Sequence, residues 1–490
     1  MRIDARGFGG APVVVPGITV WHGFGMRLLS VVPLSTLLMV VGCQRSVAPA
    51  VPVPLAPAGP PDFVHDDLPK AIAAALAEHK LVFVDAWAPW CHTCLSMQHG
   101  VLDTAALGAF ADRVVFAAVD TDRPVNASFL KAHPVSLWPT FFVLDPKLPD
   151  GPPLAMHPGS MSLPATLAFI QDAVARRTVA APPQPADLAL ARAHEALADG
   201  AIDGAVAAFD DALATIGVGD PRRVDVVLAA AWARVKSLDA AGCARFIEAH
   251  HDEVTGGAAF DLQGALLACA DKLTDSAQQR RLRDQARVDL QALITSPPVG
   301  AAIDDRADGM ATLAELETTL GNPDGAEAMH AQRLRLLEDA VAKATTEQQA
   351  QVHDYARMNS LFALGRGAEA VTLLQARAAA IPDDYEPRAR LASALFRLQR
   401  FDEARVAIDD AIRLSYGPRR LRYLLLKADI DTARADLPAA RAALLAVVNY
   451  GAALDLAMKA EGLVKTATER LRALDAVSTT PAPVAPAIVH

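Results

Sequence analysis

The chain has 490 residues and a formal net charge of −10, from 46 Lys and Arg against 56 Asp and Glu. This length exceeds what one hydrophobic core usually supports and predicts two or three domains. The negative charge, without an evident basic stretch, argues against nucleic acid, whose phosphates need cationic partners. Hydrophobic residues make up 52% of the chain and aromatic residues only 5%, a composition that predicts a largely helical protein.

The N-terminal segment, residues 1–43, is dominated by one short apolar run. Met26 and Arg27 precede this run, which extends from Leu28 to Val41 and is too short to span a bilayer comfortably. The sequence Val40-Val41-Gly42-Cys43 follows and resembles a bacterial lipobox, in which the cysteine receives lipid and becomes the mature N-terminus. A plain signal peptide or an uncleaved anchor is the alternative. Each predicts export, and the lipobox implies a periplasmic or cell-envelope protein anchored to a membrane through Cys43.

Residues 44–62 are rich in proline and alanine. Such segments favour an extended polyproline geometry. We therefore expect a semi-rigid spacer that holds the next domain away from the membrane. Its prolines are Pro49, Pro52, Pro54, Pro57, Pro60 and Pro61.

Residues 63–178 alternate between helical and strand patterns. An amphipathic helix is predicted over Asp67–Lys80, and a buried strand over Leu81–Asp85. The later predicted elements are helices at 94–100 and 104–111, a strand at 114–120, a helix at 127–133, strands at 139–144 and 154–157, and a helix at 163–176. This alternation predicts a mixed α/β sheet.

Two cysteines stand where the buried strand gives way to a helix, in Trp90-Cys91-His92-Thr93-Cys94. Two thiols at this spacing can close a disulfide, and the helix N-terminus lowers the pKa of Cys91. With Asp85 upstream and Trp138-Pro139-Thr140 before a later apolar strand, the pattern resembles thioredoxins. The resemblance covers this whole α/β region and implies a thioredoxin-like domain.

The resemblance also implies a role for each motif residue. Cys91 would be the attacking thiol and Cys94 the buried resolving thiol of thiol–disulfide exchange. Asp85 would be a buried carboxyl whose raised pKa lets it accept the Cys94 proton; a strand-end residue that caps the turn is the alternative. A cis Pro139 would expose the preceding backbone for a substrate chain to pair with. The implied substrate-binding residues are Trp90, His92, Thr93, Trp138 and Pro139.

Two positions depart from the thioredoxin pattern. His92-Thr93 stands where thioredoxins usually carry Gly-Pro, and a charged His92 would stabilise the Cys91 thiolate and make the disulfide more oxidising. Trp138 stands where a smaller aliphatic residue is usual, and its indole could cover the disulfide or restrict the substrate. The chemistry needs no bound cofactor. The strand–helix setting argues against a zinc site drawn from Cys91, Cys94, His92 and His99, so no metal site is predicted.

A second proline-rich linker, residues 179–186, leads into a helical region over 187–475. The segment Leu364–Ala370 aligns with Leu398–Ala404 at a shift of 34 residues, which is the length of a tetratricopeptide unit. The region therefore resembles tetratricopeptide repeats and implies a solenoid whose concave groove binds peptide or protein. A spacer or a dimer surface is the alternative. The tail, residues 476–490, is predicted to be disordered.

Two further cysteines, Cys243 and Cys269, lie in helical sequence. They can form a disulfide in an exported protein or remain two buried free thiols. The sequence leaves both possibilities open.

These patterns predict a multidomain protein with an α/β thioredoxin-like fold followed by an all-α, tetratricopeptide-type solenoid. The expected function is that of an exported, membrane-tethered thiol–disulfide oxidoreductase acting on protein disulfides. Reduction is favoured because the WCxxC context resembles the periplasmic thioredoxin domains of transmembrane disulfide reductases. The expected partners are proteins with disulfides or thiols, a membrane electron-donor protein, and a peptide or protein in the groove. The alternative is an envelope scaffold in which the thioredoxin-like domain is accessory.

Overall fold

The computed structural model describes residues 59–135, 137–178, 185–220 and 222–479. The predicted signal peptide with its lipidation site Cys43, most of the first linker and most of the predicted tail lie outside the described residues. Within the described ranges, no helix is long and apolar enough to cross a membrane. The predicted fold class is confirmed, because a small mixed sheet with flanking helices is followed by an all-helical region.

The N-terminal domain is built on one five-stranded sheet. Its strands are β1 Phe63–His65, β2 Leu81–Trp87, β3 Val114–Asp120, β4 Thr140–Leu144 and β5 Ala155–Pro158. The strands lie in the order β1-β3-β2-β4-β5. The first three of these neighbours are parallel, whereas β4 is antiparallel to β2 and β5 is antiparallel to β4. The central position of β2 places the residues that follow it in the middle of one sheet edge.

Helices cover both faces of this sheet. They are α1 Leu68–Glu78, α2 His92–Met97, α3 Ala105–Gly108, α4 Ala127–Ala132 and α5 Leu163–Thr178. α1 and α4 pack on the face that carries Val82 and Val84, whereas α5 packs on the face that carries Leu81 and Phe83. Because side chains alternate along a strand, β2 is buried on both sides. It is therefore a rigid support for the cysteines beyond its end.

Three local features differ from the prediction. β1 is not predicted, because a three-residue strand carries too short a pattern to recognise. β2 continues past Asp85 to Trp87, which pairs with Asp120 of β3. The predicted helix at 94–100 is interrupted, since α2 ends at Met97 and a π-helical turn, Gln98–Leu102, follows it.

The helical domain begins at Pro185, two residues before its predicted start. Its helices are α6 Pro185–Ala198, α7 Ile202–Thr215, α8 Arg223–Lys236, α9 Ala240–His250, α10 Ala258–Ala270, α11 Ser276–Thr295, α12 Ile303–Thr319, α13 Pro323–Lys343, α14 Glu347–Gln351, α15 Asp354–Ala363, α16 Gly367–Ala380, α17 Glu386–Arg397, α18 Phe401–Leu414, α19 Gly417–Ala433, α20 Leu437–Ala452 and α21 Glu461–Thr479. Most helices pack against the helices before and after them, as in a solenoid.

The 34-residue repeat predicted from sequence is present in the structure. α16 and α18 both contain 14 residues, and they begin 34 residues apart, at Gly367 and Phe401. Equivalent positions are equally buried, for example Ala370 and Ala404, which are both 0% exposed. A small side chain at that position lets neighbouring helices approach closely, and α15 with α16, like α17 with α18, has the helix-turn-helix organisation of a tetratricopeptide unit.

The segment between residues 220 and 296 is helical, as predicted, but one side chain on α8 differs from expectation. Leu228 and Val235 pack against the local core, whereas Trp232, predicted on the same face, is 39% exposed. In the same region Cys243 of α9 and Cys269 of α10 form a disulfide. Both of these cysteines are buried, and their bond joins two consecutive helices.

The start of α19 docks the helical domain onto the loop after β3. Tyr416 Oη donates a hydrogen bond of 2.5 Å to Asp120 Oδ2, and the guanidinium of Arg123 lies 4.5 Å from the centre of the Tyr416 ring. Gly417 has φ +54°, and a Cβ built on it would lie 1.8 Å from the carbonyl oxygen of Asp122. We call these five residues the docking contact. Only glycine fits where the two backbones meet.

Two further contacts join the domains on other sides. His157 Nδ1 of β5 lies 3.4 Å from Asp225 Oδ2 of α8, and Ala457, beyond α20, packs against the core beneath α1 and α4. Lys459 Nζ also donates to the carbonyl oxygen of Ala198 at 3.5 Å. The turn after α20 therefore contacts both the N-terminal domain and the end of α6.

We expect Gly417→Ala to loosen the docking contact. The added methyl group meets the Asp122 carbonyl, and a non-glycine residue at positive φ costs about 1–2 kcal/mol. The reduced Cys91 thiol should then react several times faster with a bulky maleimide. Gly365→Ala is the matched control, since Gly365 also has positive φ (+71°) but no atom within 4 Å of a built Cβ. Equal maleimide rates in the two variants would contradict this role for Gly417.

Candidate active site

Cys91 and Cys94 form a disulfide just beyond the end of β2. Their Cα atoms are 5.2 Å apart. Cys91 is the N-cap of α2, and its Sγ accepts a hydrogen bond of 3.0 Å from the backbone N–H of Cys94. A backbone donor aimed at this sulfur favours a thiolate there once the pair is reduced. Thr93 lies between them in the first turn of α2 and is partly buried.

Three tryptophans, Trp87, Trp90 and Trp138, pack around this disulfide. The rings of Trp90 and Trp138 are 5.3 Å apart. Trp138 Nε1 donates to Thr121 Oγ1 at 2.7 Å, and the peptide bond from Trp138 to Pro139 is cis. The indole predicted to cover the disulfide therefore does lie against it. Cys91 is only 6% exposed.

Asp85 is buried within β2, where its neighbours across the sheet are Ala118 and Phe141. The residue is 4% exposed, and its Oδ1 has no hydrogen-bond partner in the described part of the chain. Burial raises the pKa of this carboxyl to about 8. Desolvation disfavours the charged form, so a proton can move on and off Asp85 near neutral pH.

His92 contacts the helical domain, and 34% of its side chain remains exposed. Its Nε2 lies 3.3 Å from Asp308 Oδ2 of α12. Burial alone would lower the pKa of His92. The hydrogen bond to Asp308 and its negative charge, together with a smaller effect of Asp304, outweigh burial, so the pKa of His92 is raised. The charged form of His92 is therefore favoured directly beside Cys91, through a carboxylate that lies over 200 positions away in sequence.

Trp90 is held between the two domains. Its Nε1 donates a hydrogen bond of 2.7 Å to Asp122 Oδ2, while the guanidinium of Arg419 on α19 lies 5.1 Å from its ring centre. Burial is the main cause that raises the pKa of Asp122 to about 7, and the negative charge of Asp120 adds to the effect. Arg419 is oriented in turn by Glu386 of α17, whose Oε1 accepts from its Nε at 3.0 Å.

A partly open cavity of about 490 Å³ adjoins this arrangement. Trp90 and His92 line one side of it. The other side is formed by α15, α17 and α19, the first helices of three successive helix pairs. We call it the interdomain cavity.

The predicted site residues thus fall into two groups. Cys91, Cys94, Trp90 and Trp138 come together around the disulfide, whereas His92 contacts α12. Among the described residues, no group of three or more His, Cys, Asp or Glu side chains could hold a metal ion.

The helical domain adds residues that sequence reasoning missed. They are Asp308, Glu386, Tyr416 and Arg419, which no motif links to the CxxC pair. Asp120 and Asp122 were also missed, although a signal was available. Asp120 ends β3 and Asp122 comes two residues later; β3 is the parallel neighbour of β2, and the ends of parallel neighbours meet at one sheet edge.

The comparisons with known proteins agree with this division of the chain. Residues 64–146 match a family model described as thioredoxin-like. The N-terminal domain is thioredoxin-like. No curated protein matches the chain.

Solved structures with repeats were also found. A tetratricopeptide repeat protein from Parabacteroides merdae is 13% identical, covers 58% of this chain and 100% of its own, and has a TM-score of 0.34. A thermophilic tetratricopeptide repeat protein from Thermus thermophilus is 21% identical, covers 43% of this chain and 99% of its own, and has a TM-score of 0.29.

We expect Asp308→Asn to lower the pKa of His92, because the variant removes the negative charge that favours the imidazolium. The Cys91 thiolate then loses a neighbouring positive charge, so the Cys91–Cys94 potential should become more negative. An NMR titration of His92 and equilibration with glutathione measure the two effects. Asp324→Asn, at an exposed carboxylate in the first turn of α13, is the control. An unchanged His92 titration in the Asp308 variant would refute the coupling.

We expect Asp85→Asn to flatten the pH dependence of stability. Between its unfolded pKa near 4 and its folded pKa of about 8, the folded state keeps a proton that the unfolded chain loses, so stability falls as pH rises through this window. The free energy of unfolding of Asp85→Asn minus that of wild type should increase by roughly 4 kcal/mol from pH 5 to pH 8, at 1.36 kcal/mol per pKa unit. Denaturant unfolding followed by tryptophan fluorescence tests this. The exposed Asp112→Asn is the control, and parallel curves for wild type and Asp85→Asn would contradict a buried, protonated Asp85.

Proposed function

We propose that the protein is a thiol–disulfide oxidoreductase that acts on protein disulfides, with reduction as the favoured direction. The observation that carries the proposal is the Cys91–Cys94 pair at the end of β2, with Cys91 Sγ facing the backbone N–H of Cys94 at the start of α2. This is the arrangement in which a reduced thiol ionises near neutral pH and becomes a nucleophile.

The proposed reaction has two exchanges. The Cys91 thiolate attacks one sulfur of the client disulfide, so that a bond from Sγ to the client forms and the client S–S bond breaks. The released client thiolate takes a proton from water. The ionised form of Asp85 accepts the proton of Cys94, whose thiolate attacks Cys91 Sγ, frees the second client thiolate and closes the Cys91–Cys94 disulfide. The client gains two electrons and the pair loses two.

Repeated turnover requires a dithiol donor that reduces the Cys91–Cys94 disulfide again. We assign this role to a membrane electron-donor protein, because we propose that the chain is exported and tethered in the cell envelope by lipid on Cys43. The support for export is the charged start, short apolar run and lipobox-like end of residues 26–43. The repeat domain would recruit clients or partners, since solenoids offer extended surfaces for polypeptides.

One observation favours a second candidate, an envelope scaffold with an accessory thioredoxin-like domain. Cys91 is 6% exposed, and the helical domain contacts the residues on each side of it, Trp90 and His92. A disulfide enclosed in this way could serve a packing role only. The two candidates differ in whether Cys91 exchanges with an external disulfide.

We expect Cys91→Ser to abolish reduction of insulin disulfides in the presence of a dithiol donor, since the attacking sulfur is lost. Cys94→Ser should instead accumulate a mixed disulfide between Cys91 and the client, because the resolving thiol is missing. Turbidity of insulin and non-reducing electrophoresis with mass spectrometry measure these outcomes. Cys43→Ser is the control and should keep exchange in purified protein. An inactive wild type with several donors would favour the scaffold.

A further inference from the structure

The interdomain cavity contains more positive than negative charge. Three arginines line it, Arg390, Arg397 and Arg419, together with a single carboxylate, Glu386. Arg419 Nε lies 3.0 Å and Arg390 Nε lies 3.3 Å from the Glu386 carboxylate. The single carboxylate of Glu386 is therefore the counterion of two guanidinium groups. These two positive charges keep the pKa of Glu386 below its usual value despite its burial. Glu386 therefore stays ionised and counts as one negative charge in the cavity.

Arg397 is the third guanidinium and differs from the other two. Its Nη1 donates to the neutral Asn359 amide oxygen at 3.2 Å, and its guanidinium lies 3.6 Å from the centre of the Phe362 ring. In the described part of the chain it has no carboxylate partner. The side chain is exposed, so its charge is available to an anion that enters the cavity.

Other negative groups near the cavity do not cancel this charge. Asp308 lies 3.3 Å from His92 and 3.2 Å from Arg333 Nη2 of α13. Asp122 hydrogen-bonds Trp90, and its raised pKa of about 7 leaves it partly protonated near neutral pH. The lining of the interdomain cavity therefore keeps a net positive charge, although Asp304 adds a negative charge near His92.

The remaining lining residues suit a polypeptide chain. Asn359 and Ser393 offer neutral hydrogen-bonding groups, and Tyr355, which is 49% exposed, offers an aromatic face. A volume of about 490 Å³ falls in the range of roughly 300–1,000 Å³ typical of ligand pockets. The cavity is too small for a folded domain, so a polypeptide that occupies it must enter as an extended segment.

We propose that the interdomain cavity binds an acidic segment of the client polypeptide beside the disulfide that Cys91 attacks. This inference rests on the proposed function and names its substrate class. Carboxylates on the segment would pair with the guanidinium groups of Arg397 and its neighbours, while the adjacent cystine sulfur reaches Cys91 past Trp90. The thioredoxin-like domain supplies the exchange, and the first helices of the repeats supply the selectivity.

The test compares three peptides with the same cystine and with Glu, Gln or Lys on both sides of it. With full-length protein and a dithiol donor, kcat/KM for the Glu peptide should exceed that for the Gln peptide about tenfold, or about 1.4 kcal/mol, and the Lys peptide should be slowest. Added salt should reduce the Glu-to-Gln ratio, since the attraction is electrostatic.

Variants at Arg397 locate the selectivity. Arg397→Gln should reduce the Glu-to-Gln ratio severalfold, and Arg397→Glu should shift the preference towards the Lys peptide. Both outcomes are ratios within one protein, so a general loss of activity does not mimic them. Arg400→Gln is the matched control, because Arg400 pairs with the exposed Glu403 outside the cavity and should leave the ratio unchanged.

The outcomes separate this inference from the proposed function. If no peptide is reduced, the exchange function itself fails. If the Gln and Glu peptides are reduced equally, or if Arg397→Glu keeps the wild-type preference, the acidic-segment inference fails and the exchange function stands. Faster reduction of glutathione disulfide than of the Glu peptide would also overturn the inference, in favour of a small anionic disulfide.

Discussion

The docking contact between the loop after β3 and the start of α19 is the constraint on which the site depends. A buried aspartate, Asp120, accepts a hydrogen bond from Tyr416, while Gly417 brings the two backbones together at Asp122. Because β3 lies beside β2 in the sheet, this contact is made next to the point where the disulfide follows β2. The helical domain is thereby placed over the reactive end of the sheet, and the interdomain cavity is a consequence of that placement.

The charges around the disulfide come from both domains. His92 follows Cys91 directly, yet its favoured charge depends on Asp308 of the solenoid. Trp90 precedes Cys91, yet Arg419 lies against its ring. An isolated thioredoxin-like domain lacks both partners, so its thiol chemistry is expected to differ from that of the full chain. The redox properties belong to the assembled chain and not to the CxxC motif alone.

Local features of the fold and site were predictable because each depends on neighbouring residues. The buried run of β2, the helix after it and the Cys91–Cys94 pair lie within a few residues of one another, and the 34-residue repeat is a periodic signal. The pairing of His92 with Asp308 was not predictable, since it depends on how two domains pack. No periodicity links positions 216 apart. The sequence left the Cys243–Cys269 disulfide open because that pairing depends on how α9 and α10 pack within the helical domain.

The disulfide is buried, yet in the proposed reaction a client must reach it. The shape of the interface between the domains allows both. Trp138 packs against the disulfide, and in the proposed binding mode the client approaches Cys91 through the interdomain cavity, past Trp90. An extended segment can enter there, whereas a compact client would require the domains to part. The docking contact consists of one hydrogen bond, one cation–π contact and one close backbone approach. The domains are also joined by His157 with Asp225, His92 with Asp308 and Arg419 on Trp90, and interdomain contacts generally open more readily than a domain core. If the proposed function holds, client shape and charge, as well as thiol reactivity, determine which disulfides Cys91 can reach.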